Sequence, residues 1–169
     1  MLDKDQLTRI IPHRPPFLWI DRVRELKPGV LCIAEKYIDP QDPLFTGHFP
    51  GNALFPGVLI IEAAAQTGAV MLGASPKPNE PDDQKLPGRW VHLLAAVNSF
   101  KFLKPVSPGI LLRIEAKTVA GNELTALVKA VAWVENRMVA RGELMLLTRR
   151  QDIEGTDTGR DNGNAGTDS

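Results

Sequence analysis

The stretch from Pro56 to Leu72 constrains this chain most. It has the length of a helix and is apolar on almost every face, through Val58, Leu59, Ile60, Ile61, Ala63, Ala64, Ala65, Ala69, Val70, Met71 and Leu72. Pro suits the first helical turn, where its missing N–H costs nothing, and Gly73 suits the C-terminal end. A helix apolar all round has to be enclosed by protein. The run from Val58 to Ala74 falls short of the ~20 residues that span a bilayer, and it carries Glu62 and Gln66. The remainder of the chain must therefore supply the walls.

That remainder reads as strands. Asp3 to Ile11 is a short helix or turn closed by Pro12. Pro15-Pro16 then forces an extended entry into a strand. Phe17 to Leu26 and Val30 to Ile38 flank the turn Lys27-Pro28-Gly29 and predict a hairpin. Asp39 to Phe55 holds three Pro and two Gly, a long loop of the sort that carries function. Ser75 to Gly88 is a polar, Pro-rich connection. Beyond it lie four strand-like runs: Trp90 to Phe102, Ile110 to Val119, Leu124 to Val134 and Met138 to Thr148. In the second, Ile110, Leu112, Ile114 and Ala116 alternate with Arg113, Glu115 and Lys117, so one face is wet. Gly121-Asn122 and Asn136-Arg137 mark the turns between the last three. The sum is an α+β domain in which about six antiparallel strands wrap a central helix.

Charge and composition remove several classes. The 169 residues hold 20 basic and 20 acidic side chains, which lacks the net positive footprint of a nucleic-acid binder. From Gln151 to Ser169, however, five acids face one base, a net −4; the first 150 residues then carry 15 acids and 19 bases, a net +4. The tail, rich in Gly, Thr, Asp and Asn, is expected to be disordered, leaving residues 1–150 as the folded domain. One cysteine, Cys32, forms no internal disulfide and fits a reducing compartment, so we expect a cytoplasmic protein. His13, His48 and His92 lack the spacing of a metal site. The charged start MLDKDQLTRI predicts no signal peptide.

Two residues stand out chemically. Glu62 is the sole ionisable side chain between Phe49 and Pro76. Burial disfavours the charged form of a carboxyl, which makes Glu62 a candidate general acid. Gln66, at i+4 on the same face, can hydrogen-bond and orient it. His48 lies in Thr46-Gly47-His48-Phe49-Pro50-Gly51, where flanking Gly residues let a ligand approach and imidazole suits proton abstraction near neutral pH. A loop histidine alone reads as a surface residue; the partnership with Glu62 makes it a candidate base. His13, in Pro-His-Arg-Pro, reads as a loop anchor, and His92 as a packing residue. The amides of Gly57 and Val58, first donors of the helix after Pro56, can hold a developing oxyanion.

These segments resemble a known family. Ile11-Pro12-His13-Arg14-Pro15-Pro16-Phe17-Leu18-Trp19-Ile20-Asp21-Arg22-Val23, Gly47-His48-Phe49-Pro50-Gly51, and Pro56-Gly57-Val58-Leu59-Ile60-Ile61-Glu62-Ala63 with Gln66 look like the bacterial 3-hydroxyacyl-[acyl-carrier-protein] dehydratases of the FabZ type. Phe100-Lys101-Phe102-Leu103-Lys104-Pro105-Val106-Ser107-Pro108-Gly109 matches a further family segment, and the likeness spans about residues 11 to 147. It implies the hot-dog fold and a homodimer or trimer of dimers. It also implies that the His and Glu of each site come from different subunits, which carries onto His48 and Glu62. The related FabA type typically has Asp at the Glu62 position. Asn52-Ala53 and Ile110 depart from the family pattern.

The resemblance implies dehydration of a (3R)-3-hydroxyacyl thioester to the trans-2-enoyl thioester, with His48 as base and Glu62 as acid and with no metal or redox cofactor. The partner is acyl carrier protein, whose phosphopantetheine arm bears the substrate. Phe17, Phe49, Leu59, Leu94, Ala96 and Phe102 are candidates for an acyl tunnel. Lys101, Lys104 and Arg89 are candidates for docking the acidic carrier. Competing expectations are a hot-dog thioesterase using Glu62 to activate water, and a catalytically quiet carrier-binding subunit of a hetero-oligomer.

Overall fold

The computed structural model describes residues 1–49, 51–75 and 89–151. The polar connection and the acidic tail fall outside these, save for Ser75 and Gln151. Two helices, α1 (Lys4–Ile10) and α2 (Gly57–Gly73), accompany six strands. The strands are β1 (Arg22–Lys27), β2 (Leu31–Tyr37), β3 (Arg89–Phe102), β4 (Leu111–Gly121), β5 (Thr125–Val134) and β6 (Arg137–Gln151). They form one antiparallel sheet in the order β1-β2-β4-β5-β6-β3, and α2 packs on its inner face.

The enclosure that an apolar helix demands is real for most of α2. Ala63 to Met71 are buried, and against them lie the inward residues Ala34, Leu112, Ile114, Ala116, Val128, Ala130 and Leu144. Alanine on both surfaces permits close helix–sheet approach. At Gly68 even a Cβ would come within 2.8 Å of Leu146 Cδ1. The first turn differs: Val58 is 69% exposed, and Leu59 and Ile61 are only half-buried. Enclosure on all sides therefore fails at the N-terminal end of α2 within a single chain.

Turn chemistry places the hairpins. Lys27-Pro28-Gly29-Val30 closes with Val30 N–H on the Lys27 carbonyl at 2.9 Å, and Gly29 has φ +70°. Pro then Gly at the central positions is the type II pattern. Asn122 Oδ1 accepts the Leu124 and Thr125 amides, each at 2.9 Å, and reverses the chain into β5. The β5–β6 turn falls on Glu135-Asn136, one residue before the expected position, with Glu135 at φ +52°.

Other expectations need correction. The first strand begins at Arg22, not Phe17, because the Gln66 side chain takes the backbone of the preceding segment. The Trp19 amide donates to Gln66 Oε1 at 2.8 Å, and Gln66 Nε2 donates to the Phe17 carbonyl at 2.9 Å. Pro56 is the N-cap of α2 and not its first helical residue. The loop from Asp39 to Phe55 contains a 3-10 turn, Pro43–Thr46, capped by Asp42. Ile110 precedes β4 and is half-buried against the core.

The two sheet edges are unlike. At β1, Leu2 bridges Val23 through a reciprocal pair of 2.8 Å hydrogen bonds. At β3 no strand lies beyond among the described residues, and Leu93, Leu94 and Val97 are exposed. An open edge of 14 residues bearing apolar side chains invites a further strand.

Candidate active site

His48 follows the 3-10 turn, and its geometry is set by the segment leading into α2. Its Nδ1 lies 2.7 Å from the Leu54 carbonyl. A carbonyl only accepts, so Nδ1 carries the proton and Nε2 of the neutral ring keeps a free lone pair. Phe49, at φ +58°, places its ring edge-on to His48 with centroids 4.4 Å apart. A non-glycine residue held in the left-handed region costs of order 1 kcal/mol. Here that conformation seats an aromatic ring, 58% exposed, beside the imidazole.

These side chains line a cavity of about 470 Å³ together with Leu54, Phe55, Gly57, Val58, Ile60, Phe102, Leu103, Lys104, Pro105 and Val106. Its far wall is fixed by the Phe55 amide donating to the Val106 carbonyl at 2.7 Å. The Gly57 and Val58 amides have no acceptor among the described residues, and they stand at the positive end of α2. The Phe102 ring explains the glycine: a Cβ on Gly57 would lie 2.9 Å from Phe102 Cε1.

Glu62 is not in this cavity. Its Oε1 accepts from Gln66 Nε2 at 2.9 Å and lies 3.4 Å from His13 Nε2. The carboxylate is 20% exposed and His13 24%. Phe17 stacks on His13 at 6.3 Å between centroids, its plane tilted 23°. Gln66 thus hydrogen-bonds Glu62, as its i+4 spacing allows, and it also ties the Phe17–Trp19 segment to α2. Within one chain, His48 with the Gly57 and Val58 amides and Glu62 with Gln66 and His13 form two separate groups.

The remaining candidates divide between these places. Phe49 and Phe102 line the His48 cavity, and Phe17 belongs to the Glu62 side. Leu59 is half-buried against the core; Leu94 and Ala96 are exposed on β3 and do not line the cavity. The expectation that all six share one tunnel therefore fails within a single chain. Lys104 stands in the wall of the cavity. Lys101 faces a separate depression with Ser99, Lys129, Arg141, Gly142 and Glu143. Arg89 opens β3, and its side chain lies outside the described residues. Sequence reasoning missed Leu54, whose carbonyl sets the His48 tautomer, because nothing about a leucine side chain marks its backbone oxygen. It also missed His13 beside Glu62. The loop-anchor role falls instead to Arg14, whose guanidinium donates to the carbonyls of Thr8, Ile11 and His13 at 2.8–3.0 Å.

An antiparallel sheet wrapped on one long helix is the hot-dog fold, and known proteins share it. A structure titled as the dehydratase heterocomplex ApeI:P from Xenorhabdus doucetiae superposes with a TM-score of 0.68 at 17% identity, covering 85% of this chain and 90% of that one. A sigma28-regulated virulence protein from Campylobacter jejuni gives 0.63 at 14% identity, with 88% and 92% covered. In sequence, the model of the FabA-like domain matches residues 11–143. The 3-hydroxyacyl-[acyl-carrier-protein] dehydratase FabZ of Symbiobacterium thermophilum is 43% identical over 135 residues, 80% of this chain and 89% of that protein. The same enzyme of Ligilactobacillus salivarius is 41% identical over 147 residues, 87% and 99% of the two chains. The chain belongs to the FabA-like family and, within it, to the FabZ-type 3-hydroxyacyl-[acyl-carrier-protein] dehydratases.

Proposed function

We propose that this chain removes water reversibly from (3R)-3-hydroxyacyl thioesters borne on acyl carrier protein, giving trans-2-enoyl thioesters for fatty-acid or related acyl synthesis. One observation carries the reading. His48 has Nδ1 committed to Leu54, which leaves Nε2 as a base beside an apolar cavity floored by two free helix amides. The α-proton of a thioester is weakly acidic, so its removal needs a base and a stabiliser of the enolate together. His48 Nε2 takes the proton, and the Gly57 and Val58 amides hold the thioester oxygen as negative charge builds there. Hydroxide leaves poorly, so Glu62 delivers a proton to the β-oxygen and water departs. The elimination is redox-neutral and requires no electron carrier.

Joining the two roles requires two copies of the chain. The open β3 edge and the exposed first turn of α2 are the surfaces that such an assembly covers, bringing one subunit's His48 to the other's Glu62. Phe17 of the Glu62 half-site then lies along the same acyl path as Phe49 and Phe102. The acidic carrier docks over Lys104, which stands in the cavity wall; Lys101, with Lys129 and Arg141, extends the positive surface. A buried, free Cys32 accords with work in the reducing cytoplasm.

The test is mass spectrometry of a 3-hydroxyacyl carrier protein incubated with wild type, His48→Ala, Glu62→Gln, and the two variants mixed and reassembled. Wild type gives the product lighter by one water, and each variant alone gives little. An equal mixture regains about one quarter of wild-type activity, because half of the random dimers carry one intact site of two. No recovery with subunit exchange demonstrated would overturn sharing. Full activity of His48→Ala would overturn the base assignment, and release of free acid would turn the reading to hydrolysis.

A further inference from the structure

Glu62 is engaged through one oxygen only. Oε1 meets both Gln66 Nε2, at 2.9 Å, and His13 Nε2, at 3.4 Å, whereas Oε2 has no hydrogen-bond partner among the described residues. Resting on the assignment of Glu62 as the acid, we infer that His13 is a positioning residue: with Gln66 it holds Oε1 and leaves Oε2 as the oxygen that delivers the proton.

The protonation of His13 follows from its surroundings. Nδ1 is buried without a partner, whereas Nε2 faces an acceptor. An N–H left unpaired in the interior is expensive, so the neutral ring carries its proton on Nε2. The ring is neutral near pH 7 because burial lowers its pKa; Arg14 adds to this and Glu62 opposes it. Those are the charged groups that act on His13, and Phe17 stacks on the ring with its plane tilted 23°.

A carboxyl oxygen that accepts the Gln66 N–H and lies 3.4 Å from His13 Nε2 is a poor place for a hydrogen directed at them. When Glu62 is protonated, its proton therefore sits on Oε2. Gln66 alone leaves the carboxyl free to rotate about its own hydrogen bond; a second N–H group 3.4 Å from the same oxygen restricts that freedom. The loop does not need the His13 ring for its shape, since the Arg14 guanidinium ties it to three carbonyls. A role in setting the acid thus separates from a role in folding.

The test compares His13→Phe, which keeps the stack on Phe17 but lacks the donor, with His13→Gln, which restores an amide N–H. On 3-hydroxyacyl carrier protein, kcat of His13→Phe falls roughly 10-fold or more while KM stays within about 2-fold. His13→Gln recovers much of the loss. Ring ¹⁵N resonances of the intact wild-type protein give an independent readout, with His48 and His92 as internal references. They report the Nε2–H tautomer of His13, and in Glu62→Gln this ring titrates at lower pH because the carboxylate favouring its charged form is gone. Wild-type kcat in His13→Phe, an Nδ1–H tautomer, or His13→Gln no better than His13→Phe would each overturn the inference. If Glu62→Gln keeps full activity, the acid assignment fails instead, and the tautomer and titration still decide whether the contact exists.

Discussion

Gly57 shows how much can depend on one missing methyl. Its amide is a proposed oxyanion donor, and Phe102 occupies the space that any side chain would need. Gly57→Ala should push Phe102 off the cavity wall and lower kcat/KM roughly 10-fold. The melting temperature should change little, because Phe102 is half-exposed and can yield. Gly57→Ala with Phe102→Leu should regain part of the activity; no recovery would mean that the loss arises in the backbone. Asp21 offers a second case. Burial opposes its ionisation, but bonds from Lys4 at 2.9 Å, the Tyr37 amide at 2.7 Å and Lys36 at 3.2 Å outweigh that, and its pKa is lowered. A carboxyl whose pKa is lower folded than unfolded stabilises the fold above the unfolded value; this contribution is lost as pH falls through the folded one. Asp21→Asn should therefore cost about 1 kcal/mol at pH 7, and the difference from wild type should shrink as pH falls through the lowered folded pKa, as read by urea melts at neutral and acid pH.

At the scale of elements, the informative case is the segment that is not a strand. Leu18, Trp19 and Ile20 are buried and apolar, as a strand would be, and Phe17 to Leu26 reads as one. What prevents pairing is a side chain 47 residues away, since Gln66 supplies the acceptor and donor that a neighbouring strand would have supplied. No local pattern announces this. Gln66→Leu should leave the buried Trp19 amide and the part-buried Phe17 carbonyl without their partner and destabilise by roughly 2 kcal/mol. It should also lower kcat by freeing Glu62, so loss of activity at a temperature where the variant stays folded separates the two effects. The helix and the β4 alternation were legible because their periods of 3.6 and 2 are local and strong. Leu112, Ile114 and Ala116 are indeed buried, and Arg113, Glu115 and Lys117 are not. The turn at Glu135-Asn136 moved by one residue because Asn is the better turn former, whereas the β5–β6 register settled the position.

For the whole molecule, the charge map carries the prediction. Residues 1–150 have a net +4, and Lys104 stands at the cavity. Lys104→Glu should raise KM for an acyl carrier protein several-fold at low salt and leave the rate on a short pantetheine thioester unchanged. The difference should shrink above about 0.5 M salt, where surface charges are screened. An equal effect on both substrates would place Lys104 in the cavity chemistry rather than in docking.

The need of a 17-residue apolar helix for a wrapping sheet was legible in the residues alone, and so was the choice of His48 and Glu62 as the candidates for moving protons there. Both follow from local period and residue chemistry. Which nitrogen of His48 is free, the approach of His13 to Glu62 beside Gln66, and the separation of His48 from Glu62 within one chain came from the folded chain alone. Those are set by backbone carbonyls and by contacts between residues 47 to 49 positions apart, where hydrogen-bond geometry and not side-chain type does the choosing.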